Sequence, residues 1–262
     1  MGRHPIAVER HGVEMPASIP ARHASRSWLQ QAITLLGKDL RAEMRSKVAL
    51  SAIGVFAFTS LLLLALTTAG LKQIEIIGPR GVLQPAWDAS AKMGMLWVLL
   101  CFAGFAGLSH SFVHEEEGGT VTALRLTMVP EAVYTGKLLL NLIVLALVAL
   151  IVTPTYMLIT DMPSGPLLVF LAVMGSGCIG LAGAATVVAA LTARAQRSGA
   201  LFGAVGLPLI VVLLILLLNA ARTLYIRDVA AIQTVKDVGG LLSYGIMLIA
   251  LSLVLFHLIW ED

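Results

Sequence analysis

Six long apolar runs divide this chain. Val48–Leu71 holds no charge, and Met93–Val113 is interrupted only by His110 near its end. Leu138–Thr160, Leu167–Ala193, Gly199–Ala220 and Gly239–Trp260 follow. Each has the roughly 17–25 residues that a helix needs to cross a hydrocarbon layer. Backbone polar groups in lipid must be satisfied inside their own segment, so every run predicts a helix. No stretch shows the period-two alternation of a barrel strand. The pattern predicts an all-α integral membrane protein of six transmembrane helices.

The polar intervals carry a second pattern. In Trp28–Lys47, Leu29, Ile33, Leu36, Leu40 and Met44 recur at spacings of three and four, which puts them on one helical face. Lys38, Asp39, Arg41, Arg45 and Lys47 fill the remainder. A basic amphipathic helix next to a first span belongs in the headgroup plane of the membrane. It is either a plain anchor or a clamp lying beside the ends of other spans, and the sequence leaves both open. Before it, Met1–Ser27 is polar, with Pro5, Pro16, Pro20 and scattered histidines. No apolar core follows its basic start, so it is read as a disordered cytosolic arm rather than a signal peptide. His4, His11 and His23 fit no metal-site spacing. The domain division is an arm over residues 1–27 and a six-span domain over 28–262.

Composition agrees with the pattern. Hydrophobic residues make up 58% and charged residues 13% of 262 positions, and mean hydropathy is +0.90. Soluble domains carry about 25% charged residues. Nothing in so apolar a chain points to nucleic acid. Cys101 and Cys178 both sit inside apolar runs and read as small buried hydrophobes. Charge asymmetry then sets orientation. Twelve Lys and Arg residues fall on the side of the N-terminus: eight ahead of the first run, then Arg125, Lys137, Arg194 and Arg197. Six fall on the other side: Lys72, Arg80, Lys92, Arg222, Arg227 and Lys236. The positive-inside rule places both termini in the cytoplasm.

The segment "FVHEEEGGTVTALRLTMVPEAVYTGK", Phe112–Lys137, then becomes cytoplasmic. Three chemistries compete for it. A zinc hydrolase needs His-Glu-x-x-His on one helix; His110 and His114 are correctly spaced, but Ser111 stands where the glutamate should be. A glutamate-dependent intramembrane protease would show Glu-Glu-x-x-x-Arg; the position holds Thr120 or Val121, depending on the glutamate pair counted. The third reading is a short helix presented to a soluble partner. Gly118-Gly119 breaks the helix leaving the membrane, and Thr120 caps a new one. Val121, Leu124, Met128 and Val129 give it an apolar edge, and Pro130 ends it. Alone in water it would be too short to be stable, so it needs a docking partner.

With "LGKDLRAEMRSK" before the first span, "HEEEGGTVTALRLTMVPEAVYTGKLLLN" after the second, "ATVVAALTARAQRS" and the tail "FHLIWED", the chain resembles the heme exporter protein B (CcmB) family. The resemblance covers about Leu35–Asp262. Its most specific part is an acidic-Gly…Pro…Gly-Lys pattern, standing as Glu117, Gly118, Pro130, Gly136 and Lys137. A second glycine, Gly119, is a departure from the single glycine common in that pattern. The resemblance implies a type-2 ABC exporter permease fold: six spans, an N-terminal interfacial helix and a cytoplasmic coupling helix. It also implies a multi-pass protein of the inner membrane, within the cytochrome c maturation system. ATPase coupling would fall to Glu115, Glu116, Glu117, Gly118, Thr120, Leu124, Met128 and Pro130. The implied partners are a CcmA-like ABC ATPase subunit and a CcmC-like heme-handling membrane protein. A second copy or a paired permease completes the set. No G-x-x-x-x-G-K-[ST] phosphate loop occurs in the chain; Gly136-Lys137 lacks both the preceding loop and the following hydroxyl. The chain is therefore expected not to be an enzyme and to bind no cofactor of its own, with ATP on the partner and heme as a possible substrate. An exporter permease for lipid, drug or glycan is the rival reading, and a non-transport scaffold of the same complex is another.

Other features have bland and sharp readings. Ala172, Ser176, Gly180 and Ala184 recur every four residues, with Gly177 and Gly183 nearby, a pattern that lets helices approach closely or lines a path. Pro154 and Pro208 would kink their helices. Ala221–Val238, with Arg222, Arg227, Asp228, Lys236 and Asp237, is too charged to span and resembles a short external interfacial helix. Trp87 and Trp260 are candidate interface anchors. His257 is a candidate heme ligand or, more plainly, a buried hydrogen-bonded histidine.

Overall fold

A computed structural model describes residues 27–71, 75–77, 83–85, 89–108, 127–194, 206–225 and 231–261. Seven helices carry almost all of it: α1 (Trp28–Ser46), α2 (Val48–Leu71), α3 (Ala89–Leu108), α4 (Pro130–Thr160), α5 (Leu167–Arg194), α6 (Leu207–Tyr225) and α7 (Ala231–Glu261). Between α2 and α3 lies a small antiparallel hairpin, β1 (Glu75–Ile77) and β2 (Leu83–Pro85), with Glu75 opposite Pro85 and Ile77 opposite Leu83. The architecture is helical, with this hairpin added between α2 and α3.

Among the described residues, five helices have the length and hydropathy to cross a membrane: α2, α4, α5, α6 and α7. The described apolar part of α3, Ala89–Phe105, is shorter. Several boundaries move from their expected places. Span three begins not at Leu138 but at Pro130. Pro fits there because the first turn of a helix has no intrahelical use for its missing N–H. Span five is described from Gly206 onward, and Pro208 stands at the second residue of α6; the stretch ahead of it, on which the expected kink depends, lies outside the described residues. Among the described residues, Ala221–Val238 does not stand as a helix of its own: α6 runs on to Tyr225, and Ala231–Val238 forms the opening turns of α7. Gln233 donates to Asp237 one turn on (3.0 Å), and the chain passes Gly239-Gly240 without breaking.

α5 is the central post. A Cβ added to Gly177 would run into the Trp97 ring of α3, and one on Gly180 would lie 2.7 Å from Leu213 of α6. One on Gly245 of α7 would lie 3.2 Å from the Gly180 Cα. The small residues thus serve close helix packing, the means by which helices associate in a solvent as apolar as their own side chains. Trp97, Leu181, Leu213, Leu217, Leu241 and Leu248 fill the core around them. Cys101 and Cys178 are buried there as free thiols. α2 is peripheral: Ile53, Ala57 and Leu61 form a narrow buried stripe, while Val55, Phe58, Leu62, Leu63 and Leu66 face outward as a lipid-facing side should. Its threonine hydroxyls are satisfied inside the helix, Thr59 donating to Val55, Thr67 to Leu63 and Thr68 to Leu64, each at 2.8 Å.

At the Asp161 end a polar knot ties the helices. Lys92 Nζ donates to the Thr160 carbonyl (2.7 Å), placing a cation on the C-terminus of α4, where the helix dipole favours it. Tyr156 Oη donates back to the Lys92 carbonyl (2.9 Å), and Tyr225 Oη to that of Pro163 (2.9 Å). Asp161 closes α4 in the left-handed conformation, and Gly165 at φ +63° lets the turn into α5 pass against Leu224. Pro154 lies within α4 on an exposed face, where the helix continues through it.

Candidate functional site

The region singled out by the sequence begins where α4 begins. Val129 is the N-cap residue of α4 and has no capping side chain of its own; Pro130 follows at the first helical position. The Val129 carbonyl accepts from Ala132 and Val133, and Glu131 puts negative charge in the first turn, where the dipole welcomes it. The Val129 N–H donates to Gln31 Oε1 at 3.2 Å. A side chain from α1 therefore does the work of a cap for a helix almost a hundred residues away.

That contact is the first of a series. Gly136 follows two turns on, and a Cβ there would sit 3.0 Å from Leu35 Cδ2 and 3.2 Å from the Ala32 carbonyl oxygen. Any side chain there would press on α1, and the neighbouring groups would have to give by a few tenths of an ångström. Next to it, Lys137 Nζ lies 2.8 Å from Asp39 Oδ2, an ion pair in which the two side chains are 3% and 6% exposed. The pair is close in distance but lacks the alignment of a hydrogen bond. Lys38 approaches the other carboxylate oxygen at 3.2 Å from the exposed side. A lone charge so placed would be strongly disfavoured, and the partner makes it tolerable. The contacts ascend together, Gln31 with Val129, Ala32 and Leu35 with Gly136, Asp39 with Lys137. The two helices therefore run side by side in the same direction.

α1 is accordingly not a free membrane anchor; of the two readings, the clamp describes it. Its N-cap is Ser27, whose Oγ accepts from the Gln30 N–H at 3.4 Å, so the helical unit includes the last residue assigned to the arm. Its faces also differ from the expected two. Ala32, Leu35 and Asp39 face the protein, with Leu36 and Leu40 partly buried beside them. Leu29, Ile33 and Met44 remain exposed as an apolar sector, and Arg41 and Arg45 form a third. Asp39, expected on the solvated side, is the correction: the bulk of α4 covers it, and Lys137 compensates it. Lys47, left-handed at φ 55°, separates α1 from α2 in a single residue.

Of the residues expected to couple to an ATPase, Glu115, Glu116, Glu117, Gly118, Thr120 and Leu124 lie outside the described residues. Met128 is partly buried against a small cluster of Leu35, Val133, Tyr134, Ala189 and Phe256, which joins α1, α4, α5 and α7. Pro130 opens α4. Sequence reading missed the pairing of Asp39 with Lys137, although a lysine at the mouth of a charge-free run is itself a request for a partner. It also missed Asn141, fully buried on α4, whose Nδ2 donates to Thr186 Oγ1 of α5 at 2.8 Å. Tyr134 packs against Phe256 of α7 in a tilted arrangement, ring centroids 5.7 Å apart and planes at 49°. The arm over residues 1–26 and Trp87 lie outside the described residues, as do the side chains of His257 and Trp260. Among the described residues no group of three His, Cys, Asp or Glu could hold a metal ion.

No curated protein matches this chain. The family described as CcmB protein matches residues 30–258, from the first turn of α1 almost to the end of α7. With five membrane-length helices and the two motifs of the resemblance joined in one contact, the chain belongs to the CcmB family.

Proposed function

We propose that this chain is the permease subunit of an ATP-driven ABC exporter in cytochrome c maturation, energised by a separate CcmA-like ATPase. Membership of the CcmB family, whose members serve heme export, is the observation that carries this reading. In it α3 is the sixth span, both termini are cytoplasmic, and the protein resides in the inner membrane. The Pro130 end of α4 then faces the cytoplasm with α1 beside it. α4 supports this depth, since its 31 residues exceed the roughly 20 that cross a bilayer core. The surplus turns begin where Val129, Gly136 and Lys137 meet α1. Glu115–Pro130 enters α4 at that point and supplies the coupling element: glutamates toward the ATPase surface, with Leu124 on its apolar edge. ATP binds on the partner, and heme is the substrate class, delivered with a CcmC-like membrane protein. Two permease subunits, or this one with a paired permease, complete the transporter. The chain performs no hydrolysis itself.

The test is ATPase turnover of the reconstituted complex, with and without heme or its chaperone. Stimulation by heme or the chaperone is expected. Stimulation only by lipid, drug or glycan would transfer the permease to another substrate.

A further inference from the structure

The two motifs that carry the family resemblance meet in space, and their meeting has the form of a lock. Asp39 comes from the amphipathic segment ahead of the first span, and Gly136-Lys137 from the end of the segment after the second. Over eight residues of each helix, from Gln31 to Asp39 and from Val129 to Lys137, three different kinds of contact recur. Eight residues rise about 12 Å, so the register is equal on both sides. The lower contact is a hydrogen bond onto the entrance of α4, the middle one a backbone seat on glycine, and the upper one a buried ion pair. A buried ion pair adds little net stability over apolar residues of similar size; its best-attested value is in fixing one register. Beyond Asp39, α1 passes into α2 through Lys47 alone.

We propose that α1 and the first two turns of α4 form one rigid lever, locked by the Asp39–Lys137 ion pair over Gly136. The lever carries displacement of the segment entering α4 into α1 and α2. Asp39 and Lys137 are positioning residues for this transfer. Neither touches the ATPase or the cargo. The inference rests on the coupling role proposed above for Glu115–Pro130, and adds the route by which a push there reaches the first span.

The experiment uses the full chain in complex with its ATPase subunit. The double variant Asp39→Leu/Lys137→Met removes both charges, leaving no orphan. At equal membrane levels it should still capture the ATPase, while permease-dependent stimulation of turnover falls about two- to thirtyfold. A cysteine pair in the same background, Leu35→Cys with Gly136→Cys, replaces the lock by a covalent bond. Position 136 would place its Cβ 3.3 Å from the Leu35 Cβ, within a few tenths of an ångström of the spacing a disulfide spans. Oxidation should restore stimulation, and a reductant should remove it again. Full stimulation in the uncharged variant would overturn the lock, and so would a loss that the disulfide does not repair. Failure of the unaltered chain to capture the ATPase is a separate result, which would remove the coupling role itself and the lever with it.

Discussion

Asn141 donates its side-chain amide to Thr186 across the α4–α5 interface at 2.8 Å, with both residues 0% exposed. Thr186 passes the bond on to the Ala182 carbonyl of its own helix (2.6 Å), so its lone pair is all that Asn141 finds there. The other Asn141 atom, Oδ1, has no protein partner among the described residues. The polar contact is therefore half-satisfied, and its two ends should respond differently to substitution.

Thr186→Val strands the Asn141 amide in an apolar interior. It should cost about 1 kcal/mol, in the range measured for interhelical hydrogen bonds in membranes. Asn141→Leu deletes the buried amide altogether and should cost less, since the Thr186 hydroxyl it leaves behind still donates to the Ala182 carbonyl and no donor is stranded. Unfolding in mixed detergent compares the two. A larger loss for Asn141→Leu would contradict this balance.

Glycines of α5 should divide by what they face. Gly177→Ala drives a methyl into the Trp97 ring and should destabilise by about 1–3 kcal/mol, the usual cost of overpacking. Gly175→Ala meets nothing within 4 Å and should gain up to about 1 kcal/mol from helix propensity. Thermal inactivation of the purified permease separates them. Equal behaviour would mean that α5 does not stand against α3 as described.

These glycines also show how far the sequence reached. Charge-free runs placed α2 and α5 almost to the residue, because lipid leaves the backbone no alternative. Boundaries failed where the reading weighed polarity alone. Tyr134 and Lys137 look like loop residues, yet Phe256 of α7 packs on the one and Asp39 of α1 pairs with the other, and that cover exists only in three dimensions. Ala231–Val238 looked too charged to belong to a span, but a helix longer than the bilayer carries its charges outside it. The apolar stripe of α1 was visible as a stripe; which edge meets protein was not. Asp39 sits among solvated charges, and nothing local distinguishes it from Lys38 or Arg41.

Orientation follows from the distribution of lysine and arginine. A reporter active only in the periplasm should be active when fused after Asp161 and silent after Arg197. The six residues between α4 and α5 keep the adjoining ends of these helices on one side, so Asp161 reports for both. The reverse pattern would invert the assignment and move the Asp39–Lys137 lock to the wrong face for any cytosolic motor.

The central claim is that the segment leading into α4 docks an ATPase. Its most direct measurement is co-purification of that ATPase with the permease, at equal membrane levels. Glu116→Lys/Glu117→Lys reverses charge at the proposed interface, where like charges brought together cost several kcal/mol. Leu124→Asp removes the apolar edge in a separate variant; Met128 is left intact, because it packs against the Leu35–Val133 cluster and its loss would disturb α1 as well. The account predicts normal membrane levels with strongly reduced ATPase recovery for both variants. Undiminished recovery for both would contradict it.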